Sequence, residues 1–214
     1  MTKQIVNLPK FGRAAEVRAA SFDEAESTVD VIWTTGAAVR RYSWREGVHY
    51  NEILEVTPDA VRLERLNAGA PLLDTHSDWS LYSVIGAVVP GSARIEGGKG
   101  YAKIKLSSAA GDADTVGKIK DGIIRNISVG YVIHRVEKTM LGDGQDEEWR
   151  VVDWEPLEIS AVPIPADAGS HIRKRDHEVE MPCEFVVAKN TNPATGQNDA
   201  RRIRMVMRQR QSVA

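Results

Sequence analysis

Three side chains far apart in the chain have the types needed for acyl transfer: the imidazole of His76, the hydroxyl of Ser128 and the carboxylate of Glu158. Ser128 interrupts an apolar, strand-like run, RNISVGY, two residues before Gly130, and a glycine there leaves room for a substrate backbone. A serine hydroxyl is a poor nucleophile near neutral pH and needs a base within hydrogen-bond reach, a task suited to histidine. The candidates are His76 and His134. His134 lies six residues beyond Ser128, which is too far along an extended strand, at ~3.3 Å per residue, to touch it.

A histidine acting as base needs a partner that fixes its tautomer and steadies its positive charge. In WEPLEISAVPIPADAGS, Leu157, Ile159 and Ala161 alternate with Glu158 and Ser160. That alternation puts the Glu158 carboxylate on the face opposite the core, with Asp153 and Glu155 as reserves. The stretch LLDTHSDW offers a different chemistry. Alternate side chains of an extended backbone share a face, so Asp74, His76 and Asp78 are expected to project together, as metal ligands do. No HExxH motif, second DxH cluster or cysteine pair accompanies them, so neither a metal nor a cofactor is expected.

These groups need a scaffold, and 214 residues suffice for one substantial core with an appendage. A composition of 42% hydrophobic and 27% charged residues is that of a globular chain, and a net charge of −2 gives no global reason to bind nucleic acid or an anionic membrane. Cys183 is the single cysteine, so no internal disulfide can form. No apolar run approaches the roughly 20 residues that span a bilayer, and the N-terminus lacks the apolar core of a secretory signal. A soluble intracellular protein is the expectation.

Period-two alternation of Val29, Val31 and Trp33 predicts a strand, followed by a turn at Gly36 and a second strand. Thr57 and Pro58 open a predicted helix carrying Val61, Leu63 and Leu66, which ends at Asn67-Ala-Gly-Ala-Pro. A meander of short strands follows, punctuated by Pro90-Gly91 and Gly97-Gly98. A short helix over DADTVGKIKDGI would bury Val116, Ile119 and Ile123. Next come the Ser128 strand, a charged hairpin tip MLGDGQDEE, and the strands WRVVDW and LEISAVPIP. Residues 1–170 therefore read as one mainly β, α+β domain. Residues 171–214 read as a charged C-terminal tail, mobile or helical, whose Arg201, Arg202, Arg204, Arg208 and Arg210 make a basic end suited to docking on a partner.

The order His76, Ser128, Glu158 is also that of a known family. The blocks DTHSDWSLYSVIGAV, IRNISVGYVIHRVE and PLEISAVPIPADAGS resemble the three signature blocks of the prohead, or head maturation, serine proteases of tailed bacteriophages. These are in turn distantly similar in fold to the herpesvirus assemblin proteases. The resemblance spans roughly Val29 to Ser170. It implies an assemblin-like β-barrel flanked by a few helices, with Ser128 as nucleophile, His76 as base and Glu158 as third member, where the herpesvirus enzymes use a second histidine. It further implies a serine endopeptidase that cuts capsid or scaffold protein, and itself, inside the assembling prohead in the host cytoplasm. The partners it implies are the major capsid protein with its scaffold segment and, by analogy with assemblins, a second copy of the chain. In this reading Ser128 is exposed in order to attack a peptide carbonyl. The turn at Pro165-Ala166-Asp167 is a candidate source of oxyanion donors, and the basic tail a segment that binds scaffold or is trimmed. The competing expectation is a non-catalytic assembly factor that keeps the fold and binds capsid subunits.

Overall fold

The structure is a computed structural model, and it describes residues 2–8, 11–17, 22–139, 146–163 and 181–187. Within these residues the chain is mainly β. The strands are β1 (Thr2–Leu8), β2 (Phe11–Val17), β3 (Thr28–Thr34), β4 (Val39–Ser43), β5 (Val48–Leu54), β6 (Pro71–Asp74), β7 (Val84–Val88), β8 (Arg94–Glu96), β9 (Lys99–Leu106), β10 (Asn126–Thr139), β11 (Glu147–Ala161) and β12 (Met181–Val187). Two α-helices, α1 (Glu64–Asn67) and α2 (Ala113–Lys120), interrupt them.

All the strands join one sheet, in the order β1-β12-β10-β2-β3-β9-β7-β6-β11-β5-β4, with β8 beside β9 and a further pairing between β10 and β11. The long β10–β11 hairpin is its spine. Near its open end β10 pairs with β2 and β11 with β6, whereas toward its tip β10 pairs with β12 and β11 with β5. Alternation explains the inner faces. Val29, Val31 and Trp33 of β3 are buried while Asp30 is exposed, and β9 buries Ala102, Ile104 and Leu106 between exposed Lys103 and Lys105. The register pairs Val31 with Ala102 and Val29 with Ile104, which stacks one apolar stripe on another.

The helix expected from Thr57 shrinks to the single turn of α1, for a reason visible in the hydrogen bonds. Arg62 N donates to Trp154 O and Trp154 N donates to Ala60 O, each at 2.9 Å. Residues 60–62 therefore run alongside β11, and sheet pairing takes the backbone groups that a helix would need. Helix α2 forms as expected and buries Val116 and Ile119, but it ends at Lys120, so Ile123 lies past the helix and is exposed. Strand β12 falls inside the stretch expected to be a tail. It lies between β1 and β10 and sends Cys183 and Phe185 into the core. The basic cluster from Arg201 to Arg210 and most of the hairpin tip lie outside the described residues.

Candidate functional site

The open end of the β10–β11 hairpin sets the geometry. Its register pairs Ile127 with Ala161, Ser128 with Ser160, Val129 with Ile159 and Gly130 with Glu158. Paired residues of an antiparallel ladder project to the same side, and residues two apart share a face. Ser128, Ser160 and Glu158 therefore lie on one face. Ile127, Val129, Ile159 and Ala161 lie on the other, in the hydrophobic core. The expected facing is thus observed, but the expected exposure is not: Ser128 is 1% exposed and Glu158 3%. The sheet is covered on both faces here, and alternation along one strand reports sides without reporting what covers them.

His76 reaches this face from β6, which runs parallel to β11 and pairs Leu73 with Ser160 and Asp74 with Ala161. After Asp74 the chain turns. Thr75 N donates to Ala161 O at 3.0 Å, and Thr75 and His76 then take left-handed backbone angles, with φ of 49° and 59°. Such angles are uncommon for residues with side chains and are unfavourable for a β-branched threonine. They break the extended geometry on which a shared face for Asp74, His76 and Asp78 depended. Among the described residues, no three His, Cys, Asp or Glu side chains are grouped so as to hold a metal ion.

The turn brings His76 Nδ1 to 2.7 Å from Glu158 Oε1. The other carboxylate oxygen, Oε2, accepts from Ser160 Oγ at 2.5 Å, and Ser160 Oγ in turn accepts from His76 N at 3.1 Å. A buried carboxylate is costly unless paired and hydrogen-bonded, and Glu158 has both kinds of contact. With Nδ1–H directed at the carboxylate, Nε2 is left as the basic nitrogen of the ring. Ser128 Oγ, by contrast, is buried and has no hydrogen-bond partner. The structure thus joins His76 to Glu158 and puts Ser128 one cross-strand pair from Ser160, with no hydrogen bond between Ser128 and the imidazole.

The other carboxylates are engaged elsewhere. Asp153 pairs with Arg62 at 2.7 Å and Glu155 with Arg65 at 2.8 Å, while His134 faces Glu155 at 3.5 Å. The loop that would hold Pro165, Ala166 and Asp167 lies outside the described residues. Sequence reasoning missed Ser160. The signal was present in the E-I-S spacing, because residues two apart on a strand share a face. The left-handed turn at Thr75 and His76 left no such signal, since neither residue is a glycine or asparagine.

Fold and site together define a mainly β protein with a histidine–carboxylate pair beside an unpartnered serine. Residues 83–182 match the family model of the caudovirus prohead serine protease, in line with the resemblance read from the sequence. The matched segment contains Ser128 and Glu158 and begins after His76. The chain is also 33% identical over 118 residues to the major capsid protein of Halomonas phage phiHAP-1, an alignment covering 54% of this chain and 19% of that protein. The chain thus spans about a fifth of the length of that curated relative. No solved structure matches. No helix among the described residues is long and apolar enough to cross a membrane.

Proposed function

We propose that this chain is a serine endopeptidase that processes capsid or scaffold protein during assembly of a phage head. The observation that carries the reading is the 2.7 Å contact between His76 and Glu158 on the face that holds the unpartnered Ser128 hydroxyl. In the proposed reaction Ser128 Oγ bonds to the scissile carbonyl carbon as His76 Nε2 takes its proton. The C–N bond then breaks, and the imidazolium returns that proton to the leaving amine. Water, deprotonated by His76, releases the acyl group and restores Ser128. Glu158 holds the tautomer and balances the charge on the ring. Because Ser128 is covered, the site has to open before a peptide can reach it. The pairings β10-β2-β3-β9-β7-β6-β11-β10 form a circuit of seven strands, which supports the assemblin-like barrel within this proposal. Action inside the prohead and association with capsid protein belong to the same proposal, supported by the family match and the capsid-protein relative; the scaffold partner and a homodimer belong to it through the resemblance to prohead and assemblin proteases alone.

The decisive experiment is Ser128→Ala. It is expected to abolish cleavage of the cognate capsid protein, or of the chain itself, as followed by intact mass, while thermal unfolding stays native. Undiminished cleavage by the variant ends the proposal. A second reading, a non-catalytic assembly factor, is favoured by the burial of Ser128 and by the capsid-protein relative. It expects no cleavage from the native chain, and loss of capsid binding when residues 188–214 are removed. That deletion spares β12, which a cut at residue 170 would remove from the sheet.

A further inference from the structure

We infer that Ser160 is a positioning residue for the His76–Glu158 pair; its effect on turnover rests on the protease reading above, while its hold on the imidazole does not. The hydroxyl is 0% exposed and works in both directions. Its proton goes to Glu158 Oε2 at 2.5 Å, and its lone pair accepts the His76 backbone N–H at 3.1 Å. One side chain therefore ties the carboxylate to the main chain of the residue whose ring that carboxylate holds.

Two parts of the site need such a tie. The terminal torsion of a glutamate is broad, and here each carboxylate oxygen has its own partner, Oε1 the His76 ring and Oε2 the Ser160 hydroxyl. Fixing Oε2 locks the carboxylate plane. The second part is the backbone at Thr75 and His76, where two consecutive left-handed residues persist only if surrounding contacts over-determine them. Three successive backbone N–H groups of this turn are bonded: Thr75 N to Ala161 O, His76 N to Ser160 Oγ and Ser77 N to Asp74 O. Ser160 provides the only one of these three acceptors that belongs to a side chain. It is also the cross-strand partner of Ser128, so the hydroxyl that orients the base is in register with the one to be deprotonated.

The test uses the full chain with 15N-labelled histidine. The His76 ring should show a proton on Nδ1 that exchanges slowly with water, assigned by its absence in His76→Gln. Ser160→Ala is expected to speed that exchange about tenfold or more, the scale of a lost hydrogen bond to a charged group. On a peptide cut by the native chain, kcat should fall about 10- to 100-fold with KM unchanged. Ser160→Thr, which keeps the hydroxyl, is expected to restore both. Should Ser160→Ala fail to fold, Ser160→Cys, with its similar size and weak donor, carries the same comparison. An unchanged resonance in the folded variant overturns the inference, as does a native kcat or a loss that Ser160→Thr leaves unrestored. A native chain that cuts no peptide sinks the protease reading alone, because the resonance still reports whether Ser160 holds the ring.

Discussion

Glu158 shows how a residue can be legible in type and illegible in setting. Its place opposite the apolar residues of its strand follows from the order Leu157, Glu158, Ile159, and the register confirms that it shares a face with Ser128. Its burial to 3% exposure does not follow, because alternation along a strand tells the side a residue faces and not what lies over that side. Burial raises the cost of replacing the charge. Glu158→Gln keeps the shape and can still accept from Ser160, but its amide offers a donor where the His76 ring needs an acceptor. The ring is then held in the wrong tautomer, and loss of a buried carboxylate partner in such a site costs on the order of 10⁴ in kcat. In the protease reading, Glu158→Gln should therefore lower kcat about 10³- to 10⁴-fold at similar KM, measured by steady-state peptide cleavage. A loss smaller than tenfold would take Glu158 out of the site.

At the scale of elements, the strand β3 was readable and the first helix was not, while β1, β2 and β12 were not read as strands at all. Alternation at Val29, Val31 and Trp33 survives in β3 because those residues face a single core. The segment after Thr57 has helical spacing and capping residues, yet residues 60–62 pair with Trp154 on β11. Local preference amounts to a few tenths of a kcal/mol per residue, and tertiary pairing overrides it. The strand β7, from the block SVIGAVVPG, makes a sharper demand. Gly86 sits between Leu72 of β6 and Leu106 of β9, and a Cβ built there would lie 2.5 Å from the backbone oxygen of Lys105. That oxygen belongs to the ladder and cannot swing aside as a side-chain tip does. Gly86→Ala is expected to destabilise the fold by about 1–3 kcal/mol, the usual cost of overpacking, read as a lower urea midpoint at constant m value. An unchanged midpoint would mean that β7 is not pinned between its neighbours.

At the scale of the whole molecule, β12 carries the sheet into the stretch that reads as a tail. The stretch from residue 171 onward reads as a tail because its charged residues dilute one short apolar run, Cys183 to Val187, that only a waiting sheet edge makes structural. The structure gives that run two partners: β12 is antiparallel to β1 and parallel to β10, with Cys183 1% exposed. Burial pushes the Cys183 thiol up to about 12, with Asp153 and Glu184 adding to the shift. The folded chain thus keeps a proton that the unfolded chain gives up from its ordinary value of 9.0. The unfolded state is the one that gains from ionisation in this window, so the contribution is intact below about pH 9 and is lost as pH rises toward 12. Two outcomes are expected. At pH 8 the native thiol should react with a disulfide reagent far more slowly than in urea, at a rate set by opening of β12. Between pH 9 and 11, stability should also fall less steeply in Cys183→Ala than in the native chain, after allowance for the packing lost at every pH. Rapid labelling of the native protein would instead place residues 181–187 outside the sheet and return them to the tail.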